Sequence, residues 1–202
     1  CLSVGDHILR AVKAARRDKV LRLALLLHDI AKPQVKTTDG NGIDHFHGHA
    51  ARSAALADRI LRDLKYDNQT REAAVRLIAW HDRNLGDTLP EIRKNISELG
   101  EEWFLPLLEV KTSDVEAQSD YHREEKLGKI EYWRNAFEEI RRAGDCLSLK
   151  NLAVSGKDLI AAGAAPGKEI GRILHEMLEE VLREPAHNTR EYLLEKWQNQ
   201  QL

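Results

Sequence analysis

The 202-residue chain contains only two cysteines, Cys1 and Cys146, and a single methionine, Met177. Two cysteines imply neither a disulfide framework nor a thiolate metal site, and they favour a reducing, cytoplasmic setting. Because residue 1 is not methionine, we expect that the chain was trimmed or was cut from a longer polypeptide.

Long hydrophobic runs are also missing. The longest one, LALLL at residues 23–27, is far too short to cross a bilayer, and no signal-peptide pattern opens the chain, so no membrane partner is expected. The formal net charge of −2 excludes a strong overall attraction to nucleic acid but leaves room for a local basic patch. With 42% hydrophobic and 32% charged residues, the composition is that of an ordinary globular protein long enough for one well-packed domain.

No run of alternating residues suggests a strand, and nearly every periodic segment follows the helical period. We therefore predict an all-α fold, a helical bundle with additional C-terminal helices. The predicted helices cover about residues 4–16, 18–30, 49–64, 69–82, 90–98, 101–119, 121–142, 155–163 and 168–184, with a last one from Thr189. Residues 31–48 carry three glycines, a proline and no period, so we predict an irregular and functional loop there.

Imidazole and carboxylate side chains lie on the apolar stripes of five separate predicted helices. They are His7, His28, His49, His81 and Asp114. His28 and His81 each follow three apolar residues at spacings of seven, four and three. A single inward histidine is usually hydrogen-bonded to a neighbour, but the same coincidence would have to recur on every helix, and buried groups of this kind are costly unless they are paired or bind metal.

Asp29 follows His28 directly, and a carboxylate can bridge two ions. Histidine and carboxylate ligands without cysteine disfavour a structural zinc site and suit Mg, Mn, Fe, Co or Ni. One or two such divalent ions would activate water for attack on phosphate esters. The residues alone therefore predict a metal-dependent phosphohydrolase.

The order of His7, the His28-Asp29 doublet and Asp114 resembles the HD-domain superfamily of metal-dependent phosphohydrolases. The segments LLLHDIAKP, HFHGHAARSAALADRIL, IAWH and KTSDVEAQ resemble the HD domain of bacterial CCA-adding enzymes and related poly(A) polymerases. Residues 154–195 resemble the C-terminal helices of the same tRNA nucleotidyltransferases, so the resemblance covers nearly the whole chain.

The resemblance implies a division of roles among the ligands. His7, His28, Asp29 and Asp114 would hold a first ion, and Asp29, His49 and His81 a second one. It also implies an HD domain at residues 1–145 and a helical extension packed on it at residues 146–202. The pattern departs from the family in one respect: no Gly-Ser pair followed by paired aspartates is present, so nucleotide addition is not assigned to this chain. A nucleotidyltransferase or kinase domain upstream is left open.

Four cations near the ligands in sequence are candidates for gripping phosphate: Lys32, Arg52, Arg83 and Lys111. Solvated lysines and surface ion pairs are the alternative for each of them. The run HFHGH resembles a metal tract, but only His49 occupies the ligand position of the family. We expect His45 and His47 to lie at the pocket mouth with Phe46 packing beneath them, and Asp82 to lie outside the metal site.

The expected function is a phosphohydrolase or phosphodiesterase acting on nucleotides or RNA 3′ ends, with Asp29 and Lys32 in catalytic positions. The resemblance makes 2′,3′-cyclic phosphate opening and removal of 2′- or 3′-phosphate the expected reactions, and it makes tRNA a candidate partner. Two alternatives stay open. One is a nucleoside 5′-monophosphatase, and the other is an RNA-binding or dimerising module whose metal site is vestigial.

Overall fold

The computed structural model describes residues 3–199, and most of these residues are helical. The prediction of an all-α fold is confirmed. The helices are α1 (Val4–Ala14), α2 (Lys19–Leu27), α3 (Lys32–Val35), α4 (His49–Asp63), α5 (Asn68–Trp80), α6 (Leu89–Leu99), α7 (Glu101–Ala117), α8 (Arg123–Ala143), α9 (Gly156–Ala161), α10 (Lys168–Arg183) and α11 (Arg190–Asn199), with short 3-10 turns at Leu149–Asn151 and Pro185–His187.

The segment between residues 31 and 48 is more regular than the sequence predicted. It contains the short helix α3 and an antiparallel hairpin of β1 (Thr37–Thr38) and β2 (Asp44–His45). The prediction of an irregular loop was wrong in this respect. Strands of two residues are too short to show an alternating pattern, so periodicity could not reveal them.

Two helices end earlier than predicted, and both end at residues of interest. α2 stops at Leu27, so that His28 is its C-cap, and α5 stops at Trp80, so that His81 is its C-cap. α4 begins at His49, as predicted, after Gly48 turns the chain with a φ of 73°. Three of the candidate ligands therefore lie at helix ends, where side chains and backbone groups of the terminal turn can face one small region.

The described chain forms two compact units. The first consists of the residues up to Asn84 together with Glu102–Arg134. Within it, α5 packs against α2 and α4, and α2 also packs against α1. The fully buried side chains at its centre include Ala24, Leu25, Leu61, Leu77, Ile78, Phe104, Leu107 and Leu108. These apolar contacts fix the helices that carry the candidate ligands.

The second unit consists of Leu85–Glu101 and the residues from Asn135 onward. In it, α10 packs against α6 and α9 and buries an apolar stripe made of Ile173, Met177, Leu178, Val181 and Leu182. An ion pair with little solvent exposure also holds the unit together, because Arg93 Nε lies 2.5 Å from Asp145 Oδ2. The boundary between the units falls inside α8, and the division at residue 145 implied by the family resemblance stays a prediction.

None of the helices in residues 3–199 combines the length and the apolar character needed to span a bilayer.

Candidate metal centre

Four of the predicted ligands come together at one point of the first unit. His7 lies on α1, His28 caps α2, Asp29 follows it, and Asp114 lies on α7; one ligand atom of each lies within 4.8 Å of the others. His7 Nε2 is 2.8 Å from Asp114 Oδ1 and 3.5 Å from Asp29 Oδ2. His28 Nε2 is 3.3 Å from each of the same two oxygens. This first group has the donor set of a divalent cation site.

A second group shares one residue with the first. It consists of Asp29, His49 and His81, and their ligand atoms also lie within 4.8 Å of one another. His49 Nε2 is 3.1 Å from His81 Nε2, and the two nitrogens are 3.4 Å and 3.7 Å from Asp29 Oδ1. All three residues are buried. The two groups together contain the six predicted ligands.

Asp29 connects the two groups because its two oxygens face different partners. Oδ2 faces His7 and His28, whereas Oδ1 faces His49 and His81. The residue is completely buried, and Oδ1 has no hydrogen-bond partner. An anionic oxygen buried without a donor is costly unless a cation lies beside it. The orphaned oxygen therefore fits a cation held between Asp29, His49 and His81.

The orientation of the imidazole rings also fits a cation between Asp29, His49 and His81. The Nδ1 atoms of His28, His49 and His81 lie 2.7, 2.9 and 2.7 Å from the backbone carbonyl three residues earlier. A carbonyl can only accept, so each Nδ1 carries a proton, and each ring presents the lone pair of Nε2 once that nitrogen is deprotonated. The lone pairs of His49 and His81 then face each other at 3.1 Å. A cation between them would turn this repulsive contact into two coordination bonds.

The charges of the cluster are suited to a cation. Burial would raise the pKa of Asp29, but its contacts with His28 and Lys32 hold that pKa below its usual value. For Asp114, burial acts in the same direction and is outweighed by His28 and His7, so its pKa is also lowered. Both carboxylates are therefore anionic at neutral pH.

The two central histidines have pKa values that move in opposite directions. Burial opposes the charged form of His28, but its contacts with Asp114 and Asp29 raise its pKa to about 9. Burial and the positive charge of His28 lower the pKa of His81 to about 4. Without a metal ion, a proton on His28 therefore offsets part of the negative charge of the two carboxylates, while His81 stays neutral.

The helix ends also favour positive charge at this place. His28 and His81 are the C-caps of α2 and α5, so the last carbonyls of both helices lie near the cluster. The C-terminal end of a helix carries a partial negative charge. Two such ends add to the attraction that the carboxylates exert on a cation, whereas the N-terminus of α4 at His49 carries a partial positive charge and opposes it.

Lys111, predicted to bind substrate, is buried below the second group. Its Nζ donates to the carbonyl of His81 at 2.6 Å and to that of Arg83 at 2.7 Å. Burial lowers its pKa to about 8. These bonds satisfy carbonyls just beyond the end of α5 and fix the backbone of His81. The contacts show that Lys111 holds the backbone at His81, and contact with substrate stays a prediction.

The other three predicted phosphate-binding residues lie nearer to solvent. Lys32 Nζ is 2.6 Å from Asp29 Oδ2, and the lysine side chain is 25% exposed, so it borders the first group. Arg52 is exposed and donates to a glutamine side chain of α3. Arg83 is exposed, and its guanidinium lies over the ring of Trp80 at 4.2 Å.

Neither metal-ligand group includes His45, His47 or Asp82.

One residue near the site was missed by sequence reasoning. Gln118 Nε2 donates to Asp114 Oδ2 at 3.0 Å, and Lys126 Nζ donates to Gln118 Oε1 at 2.6 Å. This chain of hydrogen bonds occupies the outer oxygen of Asp114 and leaves Oδ1 for His7 and His28. The spacing of four residues from Asp114 was the available signal, since residues four apart share a helix face.

Comparison with known proteins assigns the family. The chain belongs to the tRNA nucleotidyltransferase domain 2 family, whose model matches residues 48–197. It is similar to the A-adding tRNA nucleotidyltransferase of Deinococcus radiodurans, with 30% identity over 165 residues, 80% of this chain and 37% of that protein. It is also similar to the multifunctional CCA protein of an Azoarcus species, with 36% identity over 83 residues, 40% of this chain and 19% of that protein.

The chain thus spans less than two fifths of the length of either relative. No solved structure matches the chain significantly. The predicted relation to tRNA nucleotidyltransferases is confirmed, and membership of the HD superfamily stays a prediction. The family match begins at residue 48, so it includes His49, His81 and Asp114 but neither His7 nor the His28-Asp29 doublet.

Proposed function

We propose that this chain is an HD-type, metal-dependent phosphohydrolase that acts on nucleotides or RNA 3′ ends. The substrates would be 2′,3′-cyclic phosphates and terminal 2′- or 3′-phosphates. The observation that carries the proposal is the position of Asp29, whose oxygens face two separate groups of histidines and whose Oδ1 lacks a donor. A bridging carboxylate between two cation sites is the arrangement used for displacement at phosphorus.

The proposed site contains metal ligands and phosphate-binding residues. His7, His28, Asp29 and Asp114 would hold one divalent ion, and Asp29, His49 and His81 another. When bound, such ions lower the pKa of a coordinated water and stabilise negative charge on a phosphoryl oxygen. Mn, Ni, Co, Fe and Mg all suit the nitrogen and oxygen donors present. Lys32 borders the cluster and would pair with a phosphate oxygen. Arg52 and Arg83, which lie nearer to solvent, would donate hydrogen bonds to the phosphate.

The test is turnover of 2′,3′-cAMP and p-nitrophenyl phosphate by metal-stripped protein supplied in turn with each ion. We expect activity with at least one ion and none with chelator. Asp29→Ala should abolish turnover, because it removes a ligand of both groups. Asp63→Ala is the matched control: this exposed carboxylate at the last residue of α4 belongs to neither group, so its removal should leave the rate within about twofold.

Folded protein that is inactive with every ion would contradict the proposal. Adding 5′-nucleotides to the panel separates a nucleoside 5′-monophosphatase from the proposed specificity, because only that enzyme would prefer the 5′ position.

A second candidate is a non-catalytic RNA-binding module of a longer tRNA nucleotidyltransferase. It is supported by the family match, which does not need the His28-Asp29 doublet, and by the names of both relatives. Binding of tRNA that is unchanged by chelator, in protein that turns over no phosphate ester, would favour this candidate.

A further inference from the structure

The run HFHGH contains an aromatic residue that the metal cluster does not use. Phe46 is half-buried and lies just before α4, whose first residue is the ligand His49. Its carbonyl accepts two hydrogen bonds from His49, one from the backbone nitrogen at 3.1 Å and one from Nδ1 at 2.9 Å. The position of Phe46 is therefore tied directly to a predicted metal ligand.

The ring of Phe46 lies on the side of the cluster where Lys32 is found. Lys32 Nζ is 5.7 Å from the centre of the ring and 2.6 Å from Asp29 Oδ2. One ammonium group thus lies between the ring and the bridging carboxylate. Because the side chain of Lys32 is a quarter exposed, this part of the site borders solvent and can be reached by a ligand.

The two neighbouring histidines are engaged elsewhere. The rings of His45 and His47 stack on each other at 5.5 Å with an angle of 6° between their planes. His45 is also held by Asp39, with 3.0 Å between Nε2 and Oδ2. Phe46, between them in sequence, is the aromatic residue of this run that lies beside Lys32.

We propose that Phe46 is the surface on which the nucleobase of the substrate stacks while the phosphate occupies the metal cluster. A partly exposed aromatic ring can bind any base by stacking and needs no hydrogen bonds to do so. A nucleotide with a 2′- or 3′-phosphate has its base one sugar away from that phosphate, which matches a ring separated from the cluster by one ammonium group. The inference rests on the proposed phosphohydrolase function and adds that the base itself is bound, without selection among bases.

The test compares a substrate that has a base with one that lacks it: 2′,3′-cAMP and ribose 2′,3′-cyclic phosphate. Phe46→Leu keeps an apolar side chain but removes the aromatic face. We expect it to lower kcat/KM for 2′,3′-cAMP by about five- to a hundredfold, the usual effect of one base–aromatic contact. The rate on the base-free substrate should change by less than about twofold.

Two further variants serve as controls. Phe46→Trp should keep the preference for 2′,3′-cAMP, since it retains an aromatic face. His47→Ala, at the exposed neighbour, should leave the ratio of the two substrates unchanged. An equal loss on both substrates in Phe46→Leu would mean that the residue acts through His49, and it would overturn the inference. No loss on either would overturn it as well.

Equilibrium binding keeps this inference separate from the proposed function. Calorimetry would compare the phosphonate analogue of 3′-AMP, which cannot be hydrolysed, with methylphosphonate, which has no base. The parent protein should bind the nucleoside phosphonate more tightly, and Phe46→Leu should remove most of that difference. Protein that shows this pattern but hydrolyses nothing would sink the proposed function alone. Protein that binds both phosphonates equally would refute base stacking, whatever its activity.

Discussion

The protonation state of individual side chains determines which of their atoms can bind a cation. The backbone carbonyls that accept from Nδ1 fix the tautomers of His28, His49 and His81, so each ring offers Nε2. Asp29 adds an oxygen with no donor. A metal ligand must be deprotonated, however, and His28 is the one whose pKa is raised, to about 9.

The raised pKa of His28 predicts that metal affinity depends on pH. Below about 9 the metal-free protein carries a proton on His28, and a binding ion must displace it. Affinity should therefore rise with pH, by about tenfold for each unit between roughly pH 6 and pH 8. Titration calorimetry with Mn²⁺ in buffers of different ionisation enthalpy would measure both the affinity and the proton released. An affinity that is constant over this range contradicts the assignment of His28.

Lys111→Met tests the positioning of His81. The change leaves the carbonyls of His81 and Arg83 without their buried donor, which should cost about 1–3 kcal/mol of unfolding free energy. It should also weaken metal binding, because the backbone of a ligand is no longer fixed. Urea denaturation with and without metal would measure both effects. Lys13→Met, at an exposed position of α1, is the control and should change stability by less than about 0.5 kcal/mol. Equal effects from the two changes would contradict the role of Lys111.

At the scale of residues, the sequence predicted which side chains meet but not what holds them. His28 and His81 were found because they continue apolar stripes that the fold buries. The role of Lys111 could not be found in this way, because its acceptors are backbone carbonyls of another helix. The predicted contact of Lys111 with substrate is a separate matter and stays a prediction.

The ends of two helices position two of the proposed ligands. α2 and α5 end at Leu27 and Trp80, three and two residues before the predicted ends at 30 and 82, and His28 and His81 are their C-caps. Neither C-cap is followed directly by glycine, which is the usual signal for a helix end. No local signal in the sequence therefore indicates that these two histidines cap their helices.

The turn before α6 offers a test of an element boundary. Gly86 has a φ of 96°, and a Cβ added there would overlap the Cβ of Glu91, whose carboxylate accepts from the backbone nitrogens of Asp87 and Thr88. Gly86→Ala should therefore destabilise the protein by more than about 1 kcal/mol. Gly128→Ala is the control: this glycine lies inside α8 with open space around it, so alanine should stabilise the helix by about 0.5–1 kcal/mol. Thermal unfolding would compare the two, and a higher Tm for Gly86→Ala would contradict the strain inferred at this turn.

At the scale of the whole molecule, the six ligands all belong to the first compact unit. Metal binding should therefore slow hydrogen exchange there, most strongly in the last turns of α2 and α5 and the first turn of α4. We expect little change in α9, α10 and α11, which contain no ligand. Hydrogen exchange measured by mass spectrometry with Mn²⁺ and with chelator would test this. Protection confined to α9–α11 would place the ion elsewhere.

The sequence predicted the overall class of the fold better than its division. Apolar stripes at helical spacing, such as the one on α10, identify helices wherever one face is buried. They do not identify partners, so the assignment of α6 and α10 to one unit could not be predicted from them. The hairpin at Thr37–His45 was not predicted for a similar reason, since its strands are held by backbone pairing and bury little apolar surface.

The central claim is that Asp29 joins two metal sites, and metal content measures it most directly. Elemental analysis after loading with Mn²⁺ should find two ions per chain in the parent protein, one for each ligand group. It should find one ion in His81→Ala, which removes a ligand of the second group alone, and none in Asp29→Ala. Retention of both ions by folded Asp29→Ala would contradict the account.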